Sequence, residues 1–361
     1  MEAIMALNLV ENVRICEVGM RDGLQNEKAI AFDAAGVPMR NKAGNFIYKD
    51  AVDENGQPVL SKSGKPVKAP FVLTVEQKVE LLKKLIAAGF KVIEVGSFVH
   101  PVKVPQMANT DEVFKAILAE GIPSDVELRA LIPNARGVDR AIACGCNKVK
   151  LNVSASKGHN LANLNCTPSE SVAGFKACVE KAEANGIGIS GSISMAFGSP
   201  WDYNGLPIDD VKEIVEAYMN VGIKEISLSD ASGMAYPTQV YDICTEMKKC
   251  YPEVDWWLHF HNTRGLAIAN IFAGMQAGFY QFDASFAGVG GCNFIPNATG
   301  NVATEDVIHA LDQMGVNSGV DLDQCIAIGK RVVEMLQHDT DSYILKAGAS
   351  KDLRLELPKG Q

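Results

Sequence analysis

Short runs of β-branched and apolar residues recur along the whole chain, and most are followed by a stretch in which apolar positions return every three to four residues. The runs at 12–19 (NVRICEVG), 91–98, 126–132, 148–154, 188–197, 225–231, 255–261 and 281–288 predict eight strands. Amphipathic helices are predicted over 74–88, 110–120, 135–143, 168–185, 207–221, 237–250, 264–277 and 304–314, with one more over 322–337. Their ends carry the expected chemistry. Thr74, Thr110, Asn134 and Thr304 stand at N-caps, Pro168, Pro207 and Pro237 near first turns, and Gly89, Gly145, Gly186, Gly222, Gly278 and Gly315 at C-terminal ends.

The endings AAGFKVIEV, ACGCNKVKL, NVGIKEISL and QAGFYQFDA show one strand–helix unit being reused. Eight such units predict an α/β fold of the (β/α)8 TIM-barrel type rather than an open doubly wound sheet, and no GxGxxG follows the first strand. Residues 33–70 interrupt the repeat. Asn55-Gly56 and Ser63-Gly64 within polar sequence predict a hairpin-like insert between strand 1 and helix 1. A loop there leaves the C-terminal face of the barrel, so it either covers the active site or serves as a surface and subunit-contact embellishment. The expected organisation is a catalytic domain over 1–337 and a C-terminal tail over 338–361 that follows the helical extension.

Composition narrows the class without naming it. At 361 residues, 47% hydrophobic and 21% charged, the chain is an ordinary globular one, not a disordered or disulfide-dense one. A net charge of −9 with no long basic run argues against nucleic acid or an anionic membrane as main partner. The nine cysteines are odd in number and often fall inside helical or strand patterns, as cytosolic free thiols do; Cys144-Gly145-Cys146 lacks the spacing of a metal or redox pair. No stretch reaches the ~18 apolar residues of a membrane span, and the N-terminus lacks a leader pattern. The expected setting is cytoplasmic.

In a barrel, chemistry comes from the C-terminal ends of different strands. Here those ends carry Arg21, Asp22 and Gln25 after strand 1, Glu94 and Ser97 on strand 2, Asp230 on strand 6, and His259 and His261 on strand 7; a glycine-rich loop with Cys292, then Asn301, follows strand 8. Residues i and i+2 of a strand share a face, so His259 and His261 form a natural half of a metal site. Strand 8 adjoins strand 1 in a closed barrel, which brings Asp22 and Asn301 beside them. Two imidazoles, a carboxylate and an amide oxygen without thiolate suit a six-coordinate divalent ion such as Mg²⁺ or Mn²⁺, with two positions open for a chelating substrate. The loop Gly288-Val289-Gly290-Gly291-Cys292 reads either as a mobile carrier of one reactive thiol or as a turn that needs glycine.

The runs EVGMRDGLQNEK, GFKVIEVGSFVHPVKVPQM, SLSDASGMAYPTQ, HFHNTRG and AGVGGC, then ATGNVATED, resemble the 3-hydroxy-3-methylglutaryl-CoA lyases of the DRE-TIM metallolyase superfamily, over about residues 12–32 and 71–337. The resemblance implies retro-Claisen cleavage of an acyl-CoA to acetyl-CoA and a keto acid. It further implies Asp22, His259, His261 and Asn301 as metal ligands, Arg21 as the cation that stabilises the enolate, and Cys292 as the thiol that protonates it. Glu94, Asp230 and Glu305 match acidic residues that support metal, substrate or loop. The family pattern reads GGCPYA where this chain has Cys292-Asn293-Phe294-Ile295, HDT where it has His261-Asn262-Thr263, and Cys-Pro-Tyr where it has Ser199-Pro200-Trp201. The insert is a further departure. Altered pocket walls, Trp201, Asn293 and Phe294 among them, point to a relative acting on another 3-hydroxyacyl-CoA such as citramalyl-CoA. A Claisen-type synthase or aldolase on the same barrel is the nearest rival; the cysteine loop and the short sequence after the last helix disfavour it. A homo-oligomer, most simply a dimer, is expected.

Overall fold

The computed structural model of the protein describes residues 9–61, 63–202, 206–291 and 299–353. Eight parallel strands close in sequence order: β1 (Arg14–Glu17), β2 (Val92–Ser97), β3 (Glu127–Leu131), β4 (Lys148–Ser154), β5 (Gly188–Ser194), β6 (Glu225–Asp230), β7 (Asp255–Phe260) and β8 (Gln281–Ala284). Closure is made by β8 pairing with β1, Arg14 opposite Gln281 and Glu17 opposite Ala284. This is the predicted TIM barrel.

Around it run α1 (Val75–Ala87), α2 (Thr110–Glu120), α3 (Ala135–Cys144), α4 (Lys157–Leu164), α5 (Pro168–Ala173), α6 (Phe175–Glu183), α7 (Ile208–Asn220), α8 (Pro237–Cys250), α9 (Ala267–Gln276), α10 (Thr304–Gln313), α11 (Leu322–Leu336) and α12 (Tyr343–Ala347). None of these described helices is long and apolar enough to cross a membrane. Thr74 forms a full capping box with Gln77, and Asn134 caps α3 through Arg136 N–H. Thr110 and Thr304 do not cap, because each finds another partner: Thr110 Oγ1 donates to the Met107 carbonyl (2.8 Å) and Thr304 Oγ1 to Glu17 Oε2 (2.7 Å). The helix expected over 168–185 is broken at Gly174, and α4, capped by Ser156, precedes it.

Alternation along the strands separates two environments. Val149, Leu151 and Val153 of β4 join the large apolar cluster with helix residues such as Val179, Ala182 and Val215. Between them Lys150 reaches Asp283 of β8, across the barrel. The lining is therefore polar, and its apolar part is a separate small cluster of Cys16, Val18, Val92 and Trp257. Arg14 and Arg129 lie 5.5 and 5.1 Å from the Trp257 ring centroid, close enough for cation–π attraction.

The insert is rooted where Ala29 N–H donates to the Ala69 carbonyl (2.9 Å). Beyond that root it is not one long hairpin. Asp33, Asn41, Asp53 and Ser61 each open a tight turn by accepting a backbone N–H with the side chain, and each turn ends on a glycine with φ between +75° and +85°. Three rings of backbone hydrogen bonds result, Ala29–Ala69–Lys49 at the root, Ala31–Ile47–Met39 and Ala51–Val67–Val59. A turn signal every eight or so residues leaves too little chain between turns for regular strands. Past α11, the segment expected to be a polar tail docks instead. Thr340 Oγ1 donates to the Ala287 carbonyl (2.8 Å), and Asp306 accepts from Ser342 Oγ and from the N–H groups of Tyr343 and Ile344.

Candidate metal centre and active site

After β1 ends at Glu17 the chain makes one wide turn, Gly19–Gly23, in which the N–H groups of Arg21, Asp22 and Gly23 all return to the Val18 carbonyl. That turn carries Arg21 and Asp22 over the barrel mouth, where both are buried. His259, on β7, and His261, just beyond it, approach from the other side: their Nε2 atoms lie 3.8 and 3.4 Å from Asp22 Oδ2. The three residues offer donor atoms within 4.8 Å of one another. Asn301 is brought in by backbone pairing with His261, and its Nδ2 donates to Asp22 Oδ2 at 2.9 Å.

This donor set fits a divalent ion. Asn301 Oδ1 and His261 Nδ1 are buried without a hydrogen-bond partner among the described residues, a costly state for buried polar atoms. Turning the Asn301 amide over would present Oδ1 where Nδ2 now meets Asp22, giving up the Nδ2 bonds to the Val289 and Gly290 carbonyls, an exchange that a bound cation would compensate by completing a two-nitrogen, two-oxygen cradle. Burial alone would push the Asp22 carboxyl up, but the Arg21 guanidinium and a hydrogen bond with His261 hold it well below the usual carboxylate range, so it is anionic.

Arg21 is held as firmly as the ligands. Its Nε and Nη2 fork onto Glu94 (2.8 and 3.1 Å) and its Nη1 bonds Asp22. Gln25 Nε2 donates to the same Asp22 oxygen, Oδ1, at 2.8 Å. The approach of the glycine-rich loop is backbone on backbone: a Cβ at Gly290 would lie 2.6 Å from the Asp22 carbonyl oxygen, and one at Gly300 would lie 1.5 Å from that of Gly288. These glycines are needed for close packing beside Asp22 and Asn301. Cys292, Asn293 and Phe294 lie outside the described residues.

The chain matches the HMGL-like family over residues 68–332. It belongs to that family. It is 39% identical over 286 residues to the (R)-citramalyl-CoA lyase of Chloroflexus aurantiacus, covering 77% of this chain and 90% of that one. It is 33% identical to the 3-hydroxy-3-isohexenylglutaryl-CoA/hydroxymethylglutaryl-CoA lyase of Pseudomonas aeruginosa, over 96% of this chain and all of the relative. The structure of an HMG-CoA lyase from A. baumannii, in complex with coenzyme A and 3-methylmalate, aligns over 98% of this chain and 100% of that one, with TM-score 0.78 and 33% identity.

Other residues of this HMGL-like chain sit at varied distances from the centre. Asp230 is fully buried and accepts from Ser232 Oγ, Met234 N–H and Ala235 N–H, fixing the loop after β6. Ser97 Oγ accepts from Val99 N–H in the turn after β2. Trp201, 43% exposed, packs against Gly158 and lies 5.7 Å from the His159 ring. Asn262, in place of the family aspartate, accepts Ala267 N–H at the start of α9. Glu305 lies beneath the base of the glycine-rich loop, where Ala287 N–H donates to it, and Glu17 beside it accepts from Gly19 N–H, Phe286 N–H and Thr304 Oγ1. Sequence reading missed Glu17, Lys150 and Asp283. Asp283 Oδ2 receives His259 Nδ1 at 3.1 Å and Lys150 Nζ at 3.3 Å. The alternation of QFDA places Asp283 inward, but nothing local pairs it with a lysine on the opposite wall.

Two outcomes follow from this geometry. Asp22→Ala or His259→Ala should weaken Mn²⁺ binding at least tenfold in equilibrium titrations while far-UV circular dichroism stays unchanged, since both side chains sit at the mouth rather than in the helix-facing core; full affinity in either variant would remove it from the ligand set. Burial raises the carboxyls of Glu17 to about 7 and of Glu305 to about 8 from an ordinary 4.5. A raised folded value means their contribution to stability is complete below about pH 4.5 and declines as pH rises through 7 to 8. Glu305→Gln should therefore lose a few degrees less of its melting midpoint between pH 5 and 8.5 than the wild type; parallel curves would contradict this.

Proposed function

We propose that this chain is a divalent-metal-dependent carbon–carbon lyase that cleaves a 3-hydroxy-3-methylglutaryl-CoA-like thioester into acetyl-CoA and a keto acid. The observation that carries this reading is the convergence of a fixed guanidinium, Arg21, on the point shared by Asp22, His259, His261 and Asn301. Hydroxymethylglutaryl-CoA lyases among the relatives support the substrate class. Mg²⁺ or Mn²⁺ bound at these residues would polarise the substrate hydroxyl and carbonyl oxygens and make the tertiary hydroxyl more acidic.

The remaining work falls to side chains. When a base takes the hydroxyl proton, the C2–C3 bond breaks, its electron pair passes to the thioester as an enolate, and C3 becomes the ketone carbon. Arg21, oriented by both Glu94 oxygens, supplies a preorganised cation for the enolate oxygen. Burial opposes the Arg21 charge, yet Glu94 and Asp22 raise its pKa further, so it stays protonated throughout. Cys292 then delivers a proton to the enolate carbon, which completes acetyl-CoA. Gln25, Ser97, Trp201, Asn293 and Glu305 bound or support the substrate pocket.

A second reading is specific: 39% identity to an (R)-citramalyl-CoA lyase favours citramalyl-CoA, cleaved at the same kind of bond to acetyl-CoA and pyruvate. The eight cysteines among the described residues that are free thiols support a reducing, cytoplasmic setting. Exposed Val37, Val52 and Leu60 on the insert support a homo-oligomer, most simply a dimer.

A panel of hydroxyacyl-CoA thioesters with Mn²⁺, followed by mass spectrometry, should release acetyl-CoA from 3-hydroxy-3-methylglutaryl-CoA or citramalyl-CoA; release from neither would overturn the lyase reading. Cys292→Ser should cut turnover at least a hundredfold with metal affinity unchanged, and an unimpaired variant would return the thiol to a packing role. Replacing residues 33–67 with a short turn should alter the ratio of kcat/KM between the two substrates more than it alters metal affinity. Equal effects on both, or none, would assign the insert to subunit contact alone.

A further inference from the structure

A chain of alternating charges runs through the barrel interior and links groups of the proposed reaction through residues that the reaction itself does not use, Lys150 and Asp283. It starts at Asp22, passes to Arg21, then to Glu94, and ends through Asp283 on His259. The middle link is Lys150. Its ammonium stands 3.7 Å from Glu94 Oε2 and 3.3 Å from Asp283 Oδ2, with only 3% of the residue exposed. The two ends of the chain, Asp22 Oδ2 and His259 Nε2, lie 3.8 Å apart and are both metal donors. The charges thus form a ring whose two ends meet at the proposed metal site.

Lys150 comes from β4, Glu94 from β2 and Asp283 from β8. No two of these strands are neighbours, so no sheet hydrogen bond sets the distance between them. What spans the barrel is the lysine. Each carboxylate it touches positions one group of the site through the same oxygen: Glu94 Oε2 also takes Arg21 Nη2 (3.1 Å), and Asp283 Oδ2 also takes His259 Nδ1 (3.1 Å). Holding Nδ1–H on Asp283 leaves the His259 Nε2 lone pair directed at the metal point.

We propose that Lys150 is a positioning residue that ties the orientation of His259 to that of Arg21, so that metal affinity and enolate stabilisation depend on one buried ammonium. This rests on the metal-dependent lyase reading, and the measurements separate the two. Mn²⁺ affinity, read by electron paramagnetic resonance without turnover, should weaken roughly tenfold in Lys150→Met. At saturating Mn²⁺, kcat on the thioester cleaved fastest by the wild type should remain at least fivefold low, because the Arg21 arm is also released. Circular dichroism melts report whether each variant is folded.

Removing one charge from a buried network can prevent folding, so a charge-balanced pair keeps the test decisive. Glu94→Gln alone should leave Mn²⁺ affinity within about threefold of wild type, while Lys150→Met with Glu94→Gln should bind roughly tenfold more weakly than Glu94→Gln. Either lysine variant binding Mn²⁺ within twofold of its Lys150-containing parent would overturn the proposal. So would full recovery of kcat at saturating Mn²⁺ in Lys150→Met, which would confine the lysine to the metal arm. Failure of the wild type to bind Mn²⁺ at all would overturn the lyase reading and this proposal together.

Discussion

Arg21, Glu94, Lys150, Asp283 and His259 lie inside a closed barrel whose walls displace water, and a charge there is tolerable only while its opposite is in contact. That condition shapes the rest of the molecule. Strands must bring the partners to within hydrogen-bond reach, which the closed order of eight strands does by placing β2, β4 and β8 around one lumen. The apolar part of the lumen is correspondingly reduced to a plug around Trp257, with Arg14 and Arg129 against its ring. The large apolar core lies on the other side of the strands, beneath the helices. Stability is thus drawn mainly from the outer layer, while the inner layer fixes directions.

Above the lumen, backbone packing takes over from charge. The wide turn after β1 points Arg21 and Asp22 inward, and the glycine-rich loop can lie against that turn only because Gly290 and Gly300 have no side chain. Glu17 and Glu305 then tie the base of the loop to β1 and α10 through the N–H groups of Phe286 and Ala287. Thr340 adds a contact from the C-terminal segment at the Ala287 carbonyl. The described part of the segment that leads toward Cys292, up to Gly291, is therefore anchored from three sides and packs beside Asp22 and Asn301.

Periodicity made the barrel legible, because eight strand–helix units with glycine endings repeat the same signal and closure then follows from topology. The pair at His259 and His261 was legible for a similar reason: residues two apart on a strand share a face, and barrel closure adds Asp22 and Asn301. Partnerships that cross the lumen were not. Lys150 within KVKLNVS looks like half of an alternating basic edge, and only three-dimensional closure turns it toward Asp283 and Glu94. The threonines at 110 and 304 were misread as caps because other acceptors compete for their hydroxyls, the Met107 carbonyl three residues back for Thr110 and the distant Glu17 for Thr304. The insert resisted reading because closely spaced turns fold back on themselves in rings of hydrogen bonds that a strand pattern does not encode.

The claim on which the chemistry stands is that the mouth of this barrel binds one divalent ion through both histidines. Pulsed electron paramagnetic resonance of the Mn²⁺-loaded protein reads this directly, since a coordinated imidazole nitrogen modulates the electron spin echo. Two bound nitrogens are predicted in the wild type and one in His261→Ala. An echo with no nitrogen modulation, or one unchanged by that substitution, would place the ion elsewhere and contradict the assignment.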